Sequence, residues 1–241
     1  MSLRNAIYPV VACLWLAAVL LAGVAACTSD SETATAPEQE GGAASFTFLN
    51  LGVNTPLNDA VRKNLESHLG DGYAETRAPV DLTLRPRGLL ESRIPKLYAL
   101  HRRFISDVGH RVEHNITRIT YRYPRREGTP FVFVRTVFSN YNHLPLYFRI
   151  TMNEAGASVV EKLRDKYGKP DTISMPGAEE VFHWEKNGDA LVVSRMTNRL
   201  GNPEYDVMFY FVKNLTDLLA TEETERLRKE EKLRKAGETA F

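Results

Sequence analysis

The sequence predicts an α+β fold: two helix-plus-antiparallel-meander units in the manner of a tandem duplication, with a helical Arg-rich insert and a charged C-terminal helix. Three observations carry this. A four-residue apolar stripe occurs as Leu57, Val61, Leu65 and Leu69 and returns as Val159, Leu163 and Tyr167, the spacing of one face of an amphipathic helix. After each stripe come three β-branched and aromatic runs divided by Pro, Gly and Asn turns, as in an antiparallel meander. In the second set, Asn187-Gly188 joins two runs with the strongest two-residue hairpin signal.

Taken in order, the chain begins with a segment unlike the rest. Arg4 is its one basic residue, and residues 6–26 carry no charge, which matches the basic and apolar regions of a secretory signal. The run ends Leu21-Ala22-Gly23-Val24-Ala25-Ala26-Cys27. That ending resembles a bacterial lipobox, and the resemblance implies removal of residues 1–26 and lipidation of Cys27. Val10-Val11-Ala12-Cys13 has the same spelling, but too few apolar residues precede it. The alternatives are an uncleaved anchor, since about 20 apolar residues span a bilayer, and an ordinary signal. Cleavage would leave Cys27 as the lone cysteine, so no internal disulfide is expected. Several acyl chains hold a protein on a membrane durably where one is marginal. Thr28 stands where an aspartate would favour inner-membrane retention in enterobacteria, so the resemblance implies the outer membrane, facing the periplasm.

Residues 27–45 comprise the cysteine and a small, polar, acidic linker, too poor in apolar surface to fold. The first α+β unit is placed at 46–152. In it, Thr55 is the expected cap of the first helix, Pro56 suits its first turn and Gly70 its end. The insert, 78–116, contains a helix expected at 95–108 through Leu97, Leu100, Phe104, Ile105 and Val108, stopped by Gly109. Strands are expected at 117–123, 131–138 and 145–152. The second unit, 153–214, has a helix closed by Gly168 with Pro170 beyond, then strands at 181–185, 191–196 and 205–213. The remainder, 215–241, mixes Glu222-Glu223 with Arg228-Lys229, as a solvated helix and tail do.

Net charge is +1, with 43% hydrophobic and 25% charged residues, so the totals point to no nucleic-acid partner. His110-Arg111-Val112-Glu113-His114 spells H-x-x-E-H, an inverted zinc-protease signature. Zinc needs both histidines on one helical face, about 6 Å apart. Here a helix-stopping Gly109 precedes the motif and a strand follows, so a surface or hydrogen-bonding histidine pair is expected, with no metal site. His183-Trp184 reads as half-buried strand with a packing tryptophan. Serine-nucleophile, phosphate-loop and dinucleotide spellings are absent, so no cofactor or catalytic residue is assigned.

Charge is uneven along the chain. Between Arg77 and Arg126 twelve basic residues face four acidic ones, and arginine forks bind phosphate and carboxylate bidentately. Arg102, Arg103, Arg122, Arg125 and Arg126 are the expected anion- or partner-binding residues. The competing expectation is that these arginines pair with carboxylates elsewhere.

The run Val159-Val160-Glu161-Lys162-Leu163-Arg164-Asp165-Lys166-Tyr167-Gly168-Lys169-Pro170, followed by Trp184 and Leu191-Val192-Val193, resembles the repeat of small envelope lipoproteins of the BamE/SmpA-like and β-lactamase-inhibitor-protein-like group. Residues 57–72 are a weaker second copy. The resemblance implies domains that bind other proteins; the Arg-rich insert has no counterpart in that pattern. The expected function is therefore a non-catalytic, outer-membrane-anchored periplasmic lipoprotein that binds or scaffolds an envelope protein or anionic envelope polymer. The alternative is a metal-assisted or carboxylate-dependent envelope hydrolase using His110, Glu113 and His114.

Overall fold

The structure, a computed structural model, describes residues 45–77, 79–105, 113–123, 128–176 and 180–239. Expectations for the signal, Cys27 and most of the linker fall outside those residues. The described elements are mixed helix and antiparallel sheet, an α+β fold.

Helix α1, Asp59–Leu69, buries Val61, Leu65 and Leu69 and ends at Gly70. Its cap is not Thr55. The Asn58 side chain accepts from the Val61 amide at 2.9 Å, whereas the Thr55 hydroxyl accepts from the Gly52 amide at 3.0 Å and closes the preceding turn. Asn58 has the extended backbone of a cap residue. Strand β1, Tyr73–Thr76, is short and was not foreseen. Helices α2, Leu89–Arg93, and α3, Pro95–Phe104, follow. Helix α3 stops four residues short of the expected Val108, because Ile105 is already extended at φ −102°, ψ 123°.

Strands β2, Ile116–Arg122, β3, Phe131–Ser139, and β4, Pro145–Met152, lie close to their expected places. Helix α4, Gly156–Tyr167, ends at Gly168. Gly156 is obligatory for packing: a Cβ there would sit 2.5 Å from the Tyr205 ring. Strand β5, Asp171–Ile173, is another short strand. It leads to β6, Glu180–Lys186, and β7, Asp189–Thr197. Asn187 and Gly188 both have positive φ, 54° and 82°, as a type I′ hairpin turn requires.

Strand β8 spans Pro203–Tyr210, and helix α5, Val212–Thr239, follows at once. The strand expected to reach Lys213 stops early because buried Asp189 accepts the Val212 amide at 2.9 Å, turning the chain into a helix. Past Glu225 that helix is exposed and laced by pairs at i,i+4, among them Lys235–Glu231 at 2.7 Å.

The eight strands among the described residues form one sheet in the order β1-β2-β3-β4-β8-β7-β6-β5. The two meanders meet along β4 and β8, from Tyr147 opposite Tyr210 to Met152 opposite Tyr205. One face of the sheet carries Phe148, Phe209, Leu191 and Trp184 beneath α1, α4 and the first described residues. Trp184 donates its indole N–H to the Gly168 carbonyl at 2.8 Å, fastening the end of α4 to β6. The opposite face carries Val137, Tyr147, Met208 and Tyr210 beneath α2, α3, the start of α5 and the extended residues Val80, Leu82 and Leu84. Tyr210 donates to the Leu82 carbonyl at 2.9 Å and pins that segment down.

Candidate anion-binding site

The second face of the sheet changes character toward β2. Side chains alternate across a strand, and those paired across a ladder share a face. Thr120 pairs with Arg135, Arg135 with Arg149, and Arg149 with Met208. In the next row Arg122, Phe133, Thr151 and Asp206 are neighbours. Arginine therefore sits in the middle of otherwise apolar strands, on the side that also holds Asp206.

Asp206 anchors this polar patch. It is 0% exposed and accepts Arg85 Nε at 2.7 Å, an Arg149 terminal nitrogen at 3.2 Å and the Thr151 hydroxyl at 2.6 Å. Glu204 takes a second nitrogen of Arg85. Burial alone would push the Asp206 carboxyl up, but the Arg85 bond and the Arg149 and Arg85 charges hold it below the usual carboxylate range. The Asp206 and Glu204 carboxylates in turn push Arg85 up.

Arg135 is different. It is half-buried, lies opposite another arginine and makes no ion pair among the described residues. Its guanidinium lies 4.9 Å from the Phe133 ring, which Arg122 also covers at 5.4 Å. Its Nε is buried without a hydrogen-bond partner. Burial pushes its pKa down, Tyr147 opposes that, and the charges of Arg118 and Arg149 push the same way as burial. Asp81 gives a weaker opposing field.

Beside this face, Arg149 forms part of a cleft of about 460 Å³. Arg85, Arg87 and Arg102 bring three more guanidinium groups to it, against the single carboxylate of Glu91. Leu84, Leu89, Leu90, Tyr98 and Ile105 form its apolar walls. His101, from α3, is 8% exposed. Burial lowers its pKa, so its ring is neutral at neutral pH, and its Nδ1 has no partner.

Of the expected anion-binding residues, Arg102 borders the cleft and Arg122 lies on the sheet face, while Arg103 is exposed on the last turn of α3. Arg125, Arg126 and Cys27 lie outside the described residues. The competing expectation also holds in places: Arg85 pairs with Asp206 and Glu204, and Lys96 reaches Glu185 at 3.4 Å. Sequence reasoning missed Arg135 and Arg149. The available signal was a lone arginine inside each of the apolar runs 131–138 and 145–152.

The H-x-x-E-H histidines do not share one surface role. Glu113 is exposed, whereas His114 is 5% exposed beneath α5. Its Nδ1 lies 2.6 Å from a Glu222 carboxylate oxygen and its Nε2 3.2 Å from the Phe104 carbonyl oxygen. Glu222 also accepts the Asn115 amide at 2.9 Å. Both ring nitrogens face hydrogen-bonding partners, so of the two expected roles His114 has the hydrogen-bonding one and not the surface one; His110 lies outside the described residues. Residues 113–114 are not helical. Among the described residues, no group of three His, Cys, Asp or Glu is placed to hold a metal ion. Trp184 packs in the core as expected, and His183 points to the other face with a buried Nε2 lacking a partner.

Among the described residues, no helix is long and apolar enough to cross a membrane. No family model matches the chain, and neither the curated proteins nor the solved structures give a match.

Proposed function

We propose that this protein is a lipid-anchored, non-catalytic binding module of the bacterial cell envelope, which offers the arginine-bearing face of its sheet to an anionic envelope polymer or protein. The placement at the outer membrane, facing the periplasm, rests on the lipobox-like residues 24–27, the polar linker behind them and Thr28. The binding role rests above all on Arg135, a half-buried arginine opposite Arg149 that makes no ion pair among the described residues. Like charges directly opposite one another weaken a sheet, and the contact with the Phe133 ring leaves the Arg135 charge without an ion pair among the described residues. An incoming anion would supply the missing charge.

The same proposal takes the chain as a tandem duplication. Each half runs helix, short strand, then three longer strands, and the sheet order reads outward from β4 and β8 in the same sequence. The insert that interrupts the first half supplies Arg85, Arg87 and Arg102.

Capture from crosslinked envelopes tests the binding role. The double variant Arg122→Gln, Arg135→Gln is expected to lose about tenfold or more of the captured partner, since charge-assisted bonds contribute roughly 1.5–3 kcal/mol each. Capture equal to that of the parent protein at both low and high salt would reject the proposal.

A further inference from the structure

We infer that the cleft between residues 83–91 and α3 binds a single-chain amphiphile, its anionic head (a carboxylate or phosphate monoester) at Arg87 and Arg149 and its chain along Leu90, Tyr98 and Ile105. The inference rests on the proposed anion-binding role and adds the chemical class of ligand.

Two features of the cleft call for an amphiphile rather than a bare anion. Four guanidinium groups line it against one carboxylate, Arg85 and Arg149 being already paired with Asp206 and Glu204, while five of its thirteen lining residues are aliphatic or aromatic. Small-molecule sites have this character: a mostly apolar concavity with a few converging polar groups, about 300–1,000 Å³ in volume. At about 460 Å³ the cleft lies within that range. Ile105, 41% exposed, stands at its edge directly after the last turn of α3. A hydrocarbon chain laid against Ile105 and Tyr98 removes that surface from water. The floor accepts a negative head because Arg149 is held in place by Asp206 while its side chain stays 19% exposed. Neutral His101 adds a polar edge without a competing charge. Arg87 forms no ion pair among the described residues and completes the cationic end.

Photocrosslinking of the full-length chain in its own membrane provides the test. The probe is decyl phosphate carrying a diazirine, and labelled peptides are mapped by mass spectrometry. Label is expected on residues 84–105. Excess unlabelled decyl phosphate or decanoate should remove it, and the better of the two identifies a phospholipid-derived or a fatty-acid head. Decanol and inorganic phosphate should each compete about tenfold less well. Ile105→Asp at the exposed edge and Arg87→Gln should each reduce labelling severalfold, with unchanged thermal unfolding confirming that the fold is intact. Label elsewhere, or equal competition by decanol, overturns the inference. If Ile105→Asp leaves envelope capture intact and labelling unchanged, the cleft is unused while the sheet-face proposal stands. Loss of capture in the Arg122, Arg135 variant with labelling retained separates the two in the other direction. Failure of every anion to compete, together with capture insensitive to both sets of variants, removes both.

Discussion

A fully buried carboxylate held by two arginines and a threonine is a liability unless every partner stays in place. Truncating one member of a buried ion pair typically costs about 3–5 kcal/mol, because the remaining charge is left in low dielectric. Asp206→Ala should fall near the lower end, about 3 kcal/mol, since Arg85 is 45% exposed and can turn to water. Denaturant unfolding checks this. The pH dependence has a definite sign. Asp206 titrates lower in the folded chain than in the unfolded one, so its stabilisation is present above the unfolded carboxylate value of about 3.9 and fades as pH falls through the folded value. The unfolding midpoint should therefore drop below about pH 4, and Asp206→Asn should flatten that slope. A slope unchanged in Asp206→Asn would place the acid sensitivity elsewhere. This network is illegible in the sequence, because its members lie far apart along the chain. Arg135, Arg149 and Asp206 come together only through strand pairing, which no window along the chain samples.

Helix ends and the hairpin were the most readable elements, because caps and turns are set by adjacent residues. Gly70, Gly168 and Asn187-Gly188 fall where their backbone freedom predicted. Errors arose where a distant residue decided the outcome. Asp189 caps α5 from a neighbouring strand and also accepts the Ser45 hydroxyl at 2.5 Å, and nothing near residue 212 announces it. Strands β1 and β5 have only four and three residues, too few for an alternating pattern to emerge. Local and tertiary caps yield separate expectations. Asn58→Ala should cost about 1 kcal/mol, as cap removals do. Asp189→Ala should cost more, about 2 kcal/mol, because a cap and a buried hydroxyl lose their acceptor together. Equal losses by thermal unfolding would mean that the Ser45 contact contributes nothing.

The two faces of the sheet differ in character. The face under α1 and α4 is apolar from Ile119 to Trp184 and accounts for most of the aromatic packing. The other face is apolar only beneath α2, α3 and the start of α5, and turns to arginine beyond them. The α+β class was legible because apolar periodicity reports which side of each element is buried. The proposed placement at a membrane rests instead on the N-terminal residues and makes its own prediction: a palmitate analogue should label the parent chain and not Cys27→Ser. Equal labelling of both would refute the lipid anchor.

If the arginine face is kept for binding rather than for folding, as proposed, Arg135→Met should separate the two roles. The variant keeps an apolar stem against Phe133 and removes a charge that lies opposite Arg149. Relief of a like-charge pair is worth up to about 1 kcal/mol. The unfolding free energy should therefore stay level or rise by that amount, while envelope capture by the same preparation falls about tenfold. A destabilised variant, or one that captures its partner as well as the parent does, would contradict the claim.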